Sequence, residues 1–237
     1  MAYEEFLQQF FPSFLPENVF VDKTYAALNR IGFNADNTIA CVCLCRDEIT
    51  QPLAFLVRQS WGESFNLSGL GGLFYAGKTA LHAAMHHSPN PNQRERYVFF
   101  ALPHIAIDEQ GRIGVCKRAG RDGDSTACGA LDAFRKELVA GNFSLTTDSQ
   151  DVEQSLLRQR LTYKVLYSQP PSLLELTKIA QQTSQQDLEN TLKTAVDLSH
   201  SDYGLISGIQ IHGPEKNYVW LASFYAIVNG KRNELGV

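Results

Sequence analysis

The apolar run at 38–45, TIACVCLC, limits the possible folds more than any other part of this sequence. It shows no polar alternation, so a strand formed by it is apolar on both of its faces. Such strands occur in sheets that helices cover on both sides. The run stops at Arg46, Asp47 and Glu48, where polarity rises abruptly. The pattern therefore predicts a buried strand of an α/β sheet.

Strand-like and helix-like segments alternate along the chain, which favours an α/β fold. Further strands are predicted at 53–58, 97–102, 112–116, 203–213 and 217–231, and helices at 2–10, 20–31 (with Asp22 as N-cap), 79–87 and before Gly141. Between 148 and 198 the spacing of Gln, Leu, Asp and Glu is helical. We expect a single α/β domain over 1–237, with a helical insertion at 148–198 and antiparallel C-terminal strands at 203–231.

Composition excludes several classes of function. The formal net charge of −4 and the absence of a basic block argue against nucleic acid as a partner. No apolar stretch approaches the roughly 20 residues that span a bilayer, so membrane insertion is not expected. The early residues carry two glutamates and no basic region typical of a signal peptide, and the five cysteines are an odd number. We expect a cytoplasmic protein whose cysteines are thiols or metal ligands.

Three candidate metal ligands lie at the ends of predicted elements. Cys45 ends the first buried strand, His104 follows the strand at 97–102, and Cys128 precedes a helix. In open α/β sheets, ligands bind at the carboxyl ends of strands. Two thiolates and one imidazole suit Zn²⁺ and leave a fourth position for water. On residue types alone, the alternative is that all three are ordinary core residues.

Four short motifs together resemble the limiting-CO2-inducible B family, which is akin to the β-carbonic anhydrases. They are CRDE at 45–48, SGLGG…GKT at 68–79, PHIAID at 103–108 and ACGA at 127–130. The resemblance extends in patches from about residue 30 to the C-terminal IQIHG. It implies a β-carbonic-anhydrase-like central mixed sheet flanked by helices, a homodimer, and Zn²⁺ bound by Cys45, His104 and Cys128. The implied activity is the reversible hydration of CO2 to bicarbonate, with Asp47 as the acidic residue of the site.

One position departs from the pattern of the β-carbonic anhydrases. Those enzymes pair the Asp of C-x-D-x-R with the Arg two residues later, but position 49 here is Ile. Arg46 is a candidate catalytic residue beside Asp47, although in a strand it would point to the opposite face. Candidate partners for Asp47 from elsewhere are Arg58, Arg118 and Arg121. Arg121 and the backbone at Gly129 are also candidate groups for binding the bicarbonate anion.

Two other functions compete with a carbonic anhydrase. A catalytically weak or silent zinc protein could act in a CO2-uptake complex through protein contacts. Alternatively, the segment from Gly72 to Thr79 matches the P-loop pattern G-x-x-x-x-G-K-[ST] and could bind a nucleotide. Against the P-loop, the segment before Gly72 is a poor buried strand and the loop interior is bulky. The roles of His82, His86 and His212 are left open by the sequence.

Overall fold

A twisted sheet in which parallel and antiparallel strands are mixed forms the centre of the protein. The computed structural model describes residues 3–89, 94–165 and 169–237. The strands are β1 Leu15–Pro16, β2 Thr38–Leu44, β3 Ser64–Asn66, β4 Glu95–Leu102, β5 His104–Ala106, β6 Val115–Cys116, β7 Ser125–Thr126, β8 Ser201–His212, β9 Asn217–Val228 and β10 Lys231–Glu234. Their order across the sheet is β1-β9-β8-β4-β2-β3, with β5 also paired to β8, β10 also paired to β9, and β6 and β7 forming a separate pair.

The helices cover both faces of this sheet. They are α1 Tyr3–Gln8, α2 Glu17–Asn29, α3 Gln51–Trp61, α4 Gly77–Met85, α5 Gly129–Ala140, α6 Val152–Val165 and α7 Leu173–Ala195. Every residue of β2 is buried, as its apolar sequence predicts. Val42 of β2 lies in the core formed with α2 and α3. Cys41 and Cys43 lie in the core formed with α4 and α7 on the other face. The predicted α/β architecture with a mixed sheet is confirmed.

The directions of the strands decide which strand ends lie side by side. β2 runs parallel to β3 and β4, and β4 runs parallel to β8. Leu44 and Leu102, the last residues of β2 and β4, are paired in the register. The residues that leave these two strands therefore start from the same edge of the sheet.

The segment 53–58, which we predicted as a strand, is part of the helix α3, so that prediction is wrong. Leu53, Val57 and Trp61 recur every four residues and are all buried, which is helical rather than strand periodicity. Gly62, with a φ of +80°, ends the helix. The short apolar run obscured this period, because Phe55 is apolar but 58% exposed.

Other boundaries also differ from the sequence-based predictions. Asp22 is not an N-cap, because α2 already begins at Glu17 and continues through it. The strand predicted at 112–116 is reduced to Val115–Cys116, and β3 was not predicted. Residues 148–198 contain α6 and α7, and the C-terminal strands β8 and β9 pair antiparallel as expected. The single-domain organisation stays a prediction. Among the described helices, none has the length and apolar character needed to cross a bilayer.

A pair of substitutions in α3 tests its assignment as a helix. Val57→Ala is expected to lower the free energy of unfolding by about 2 kcal/mol, since the side chain is fully buried. Phe55→Ala is expected to change it by less than about 0.5 kcal/mol, because Phe55 is exposed. Both values come from urea unfolding. In a strand the two residues would share a face, so similar large losses for both variants would contradict the helix.

Candidate metal centre

Two thiols and an imidazole from distant parts of the chain meet beside the sheet. Cys45 directly follows β2, His104 is the first residue of β5, and Cys128 directly precedes α5. Their ligand atoms all lie within 4.8 Å of one another. All three residues are buried, with exposures of 2%, 0% and 1% respectively. The structure thus brings together the three residues that the sequence singled out.

The geometry of this cluster fits a tetrahedral metal ion. The Sγ atoms of Cys45 and Cys128 are 3.7 Å apart. Two thiolates that each lie about 2.3 Å from a tetrahedral Zn²⁺ would be about 3.8 Å apart. The ring atom Nε2 of His104 is buried and has no hydrogen-bond partner among the described residues. Since buried polar atoms are rarely left unpaired, this nitrogen is suited to coordinate a metal.

The two thiols are hydrogen-bonded to each other, so the protonation of one changes the pKa of the other. The pKa of Cys45 is lowered well below its ordinary value, first because the thiol of Cys128 donates to it and then because His104 lies beside it. The pKa of Cys128 is raised by the same bond and by burial. Without a cation, the pair holds one proton more firmly than the other. A divalent cation between the sulfurs would favour two thiolates.

Asp47 is held beside the cluster by an arginine from a distant loop. Arg118 donates from Nη1 to Oδ1 of Asp47 at 2.7 Å and from Nη2 to Oδ2 at 2.8 Å, and it also contacts Glu48. Burial acts to raise the pKa of Asp47, but the bond from Arg118 and the neighbouring His104 lower it to about 2. Oδ2 lies 3.8 Å from Nε2 of His104. Asp47 is therefore an ionised acceptor at the edge of the cluster, and of the three candidate arginines Arg118 is its partner.

The other predicted site residues lie at the surface. Arg46 donates from Nε to Glu153 at 2.8 Å, and its side chain is 57% exposed. Arg58, Arg121 and Gly129 are exposed. The catalytic role of Arg46 and the anion-binding roles of Arg121 and Gly129 stay predictions.

A second histidine, whose role the sequence left open, is bonded to His104. Nε2 of His212 lies 3.0 Å from Nδ1 of His104. Burial, followed by the proximity of His104, lowers the pKa of His212 to about 3, so its ring is neutral. The other ring nitrogen, Nδ1, lies 3.3 Å from Oδ1 of Asn217. The only sequence signal for this contact is the position of His212 at the end of a long C-terminal strand, beside β5.

A buried carboxylate continues this set of contacts. Glu17, at the start of α2, is 6% exposed. Its Oε1 accepts a hydrogen bond from Nε2 of Gln210 at 2.6 Å, and its Oε2 accepts one from Nδ2 of Asn217 at 3.3 Å. Burial raises the pKa of Glu17 to about 7, although these two bonds oppose the shift. Glu17 was not predicted as a site residue, because a single glutamate at the start of a helix carries no distinguishing pattern.

An open cleft lies beside His212, the histidine that is bonded to His104. Its volume is about 580 Å³, and its lining includes Ile49, Cys116, Lys117, His212 and Asn217. Ile49 lies two residues after Asp47 in the sequence, and His212 is bonded to His104. The cleft therefore reaches His212, whereas its lining does not include Asp47 or the three candidate ligands.

The P-loop-like segment packs into the core rather than forming a phosphate cradle. It follows a 3-10 turn, Leu70–Gly72, instead of a buried strand. Leu73 and Phe74 are 0% and 2% exposed. Gly72 has a φ of +70°, and a Cβ there would lie 2.4 Å from Cα of Pro103, so glycine permits close packing against the residue before His104. This arrangement does not support nucleotide binding.

Comparisons with known proteins identify the family. The chain matches the family model of the limiting CO2-inducible proteins B/C, beta carbonic anhydrases, over residues 14–228. It is similar to the crystal structure of the limiting CO2-inducible protein LCIB, with 36% sequence identity and a TM-score of 0.82, covering 100% of this chain and 99% of that one. A second solved structure, a homolog of LCIB, is 21% identical and shares the fold, with a TM-score of 0.86 over 99% of this chain and 100% of that chain. No curated protein sequence matches the chain. The chain therefore belongs to the LCIB/C family of beta carbonic anhydrases.

Proposed function

We propose that this protein is a zinc enzyme that reversibly hydrates CO2 to bicarbonate. The observation that carries the proposal is the meeting of two buried thiols, 3.7 Å apart, with an imidazole nitrogen that has no partner among the described residues. Three protein ligands leave a fourth position for water, as in catalytic zinc sites. Membership in a family of beta carbonic anhydrases supports the same chemistry.

The metal and the protein would contribute different parts of the reaction. A bound Zn²⁺ lowers the pKa of its water ligand from about 15.7 toward 7, which supplies a nucleophile for CO2 at neutral pH. Cys45, His104 and Cys128 would hold the ion. Their burial excludes bulk water from the ligand atoms, which strengthens electrostatic interactions there.

Asp47 would orient the reacting water. Its carboxylate is ionised at neutral pH, so it accepts hydrogen bonds only. Both of its oxygens are engaged by Arg118, which fixes the carboxylate plane and restrains it from turning to become a further ligand. The role that the β-carbonic anhydrases give to the Arg two residues after Asp would therefore be taken here by Arg118.

Several features of the proposal rest on the family resemblance and on sequence alone. We propose a homodimer, a cytoplasmic location, and binding of the bicarbonate anion by Arg121 and the backbone at Gly129. Arg121 lies in the same loop as Arg118, and its backbone N–H donates to the carbonyl of Arg118 at 3.2 Å. Arg118 of this loop bonds Asp47, and a guanidinium group such as that of Arg121 is suited to bind an anionic product.

Removal of one sulfur tests the metal centre and the activity together. The purified wild type is expected to contain about one zinc per chain by elemental analysis and to hydrate CO2 in a stopped-flow assay. Cys128→Ser is expected to lose both the zinc and the activity. Cys116→Ser is the matched control and should retain both, since Cys116 is not part of the cluster of candidate ligands and its thiol donates to the carbonyl of Ser125.

Two outcomes would contradict this proposal in different ways. A wild type that binds no zinc would refute the metal centre. A zinc-loaded wild type that hydrates CO2 no faster than buffer would refute the enzyme and leave the alternative of a silent zinc-binding member.

Substitution of the partner of Asp47 tests the orienting role. Arg118→Met is expected to lower kcat/KM for CO2 hydration about 10- to 100-fold while the zinc content stays the same, because Asp47 loses its fixed orientation. Arg58→Met, on the exposed face of α3, is the control and should have little effect. Arg46→Met measures the catalytic role predicted for Arg46 from the sequence. Full activity in Arg118→Met would rule out the orienting role.

A further inference from the structure

His104 can bind a metal through Nε2 only in one of its two neutral forms. A neutral imidazole carries its proton on one ring nitrogen, and the nitrogen that coordinates a metal must lack it. For His104 the proton must therefore sit on Nδ1. In many metal sites the tautomer of a histidine ligand is set by the hydrogen bond that its other nitrogen makes.

The partner of Nδ1 in this protein is another histidine, which does not by itself settle the tautomer. The bond of 3.0 Å between Nδ1 of His104 and Nε2 of His212 can be made with either ring as donor. If His212 donated, His104 would carry its proton on Nε2 and could not coordinate. The direction of this bond therefore decides whether His104 is already in the form that binds a metal through Nε2.

The hydrogen bonds of Glu17 determine which of the two histidines donates to the other. The two oxygens of the Glu17 carboxyl group accept hydrogen bonds from amide NH2 groups, so the bonds to Glu17 show which way each amide is turned. Glu17 faces two amide groups, Nε2 of Gln210 at 2.6 Å and Nδ2 of Asn217 at 3.3 Å. Since Asn217 turns its NH2 group to Glu17, it presents Oδ1 to His212.

The orientation of Asn217 in turn fixes the position of the proton on His104. Oδ1 of Asn217 is an acceptor, so Nδ1 of His212, at 3.3 Å, must be the donor. His212 is 6% exposed, and its two ring nitrogens are bonded to His104 and Asn217, neither of which is a carboxylate. Its ring then carries one proton, on Nδ1, and its Nε2 is an acceptor. His104 must then donate from Nδ1, and its Nε2 is left without a proton, in agreement with the absence of any hydrogen-bond partner for that atom among the described residues.

We propose that Glu17, Asn217 and His212 are positioning residues that fix the tautomer of His104 so that its Nε2 is ready to bind the metal. The proposal rests on the zinc site of the proposed function. The contacts join α2, β5, β8 and β9, and all four side chains are largely shielded from water. Burial of a carboxylate and two histidines is costly for a structural contact alone, whereas a metal ligand benefits from a rigid, oriented partner.

The experiment compares two substitutions of His212 that differ in one property. His212→Gln retains an acceptor for Nδ1 of His104, whereas His212→Leu removes it with little change in size. Zinc affinity is measured by competition with a chelator. His212→Leu is expected to weaken zinc binding about 10- to 100-fold, and His212→Gln is expected to restore most of the loss.

Nitrogen-15 NMR of histidine in the metal-free, reduced wild type gives a second measurement, which does not depend on activity. The resonances of His104 are assigned by their loss in His104→Gln. We expect the proton of His104 on Nδ1 and that of His212 also on Nδ1. This measurement decides the proposal even where His212→Leu does not fold.

The outcomes separate this inference from the proposed function. A His104 ring that carries its proton on Nε2 in the metal-free wild type would overturn the inference. Equal zinc affinity in wild type and folded His212→Leu would also overturn it, although the zinc enzyme would stand. A wild type with the expected tautomers but without zinc binding would instead refute the proposed function.

Discussion

The parallel pairing of β2 with β4 is the constraint on which the site depends. Because Leu44 and Leu102 are register partners, the chain leaves both strands at one edge of the sheet, and Cys45 and His104 follow within two residues. Gly72 allows the backbone of a neighbouring turn to pack directly on Pro103, between β4 and His104. The third group, Cys128, is placed by the start of α5, whose Leu131 and Phe134 are buried in the same core. A change in strand register would separate the three ligand atoms.

The groups around the cluster would balance the charge of a bound cation. Two thiolates would contribute two negative charges, and Asp47 adds another that Arg118 compensates through two direct hydrogen bonds. Nδ1 of His104 is held by Nε2 of His212 at 3.0 Å. Glu17, the remaining acid, is separated from the ligands by Asn217 and His212. The two carboxylates on this side of the site are thus both bonded, Asp47 to Arg118 and Glu17 to the amides of Gln210 and Asn217.

The sequence predicted those parts of this arrangement that have a local pattern. The uninterrupted apolar run of β2 identified a buried strand, and the motifs around Cys45, His104 and Cys128 identified, through the family resemblance, three candidate ligands that the structure brings together. The 53–58 segment was wrongly assigned, because six apolar-rich residues do not distinguish a strand from a helix until Trp61 extends the period. Arg118 could be named only as one of three candidates, since its approach to Asp47 depends on the fold of a loop 71 residues away. The contacts of Glu17, Asn217 and His212 cross four elements and have no sequence pattern that could have revealed them.

The central claim is that Cys45, His104 and Cys128 bind one metal ion together, and X-ray absorption at the zinc edge of the purified protein tests it most directly. The account predicts two sulfur neighbours at about 2.3 Å and nitrogen or oxygen neighbours at about 2.0–2.1 Å, one of them the imidazole. A first shell made only of nitrogen and oxygen, or a single sulfur neighbour, would contradict it.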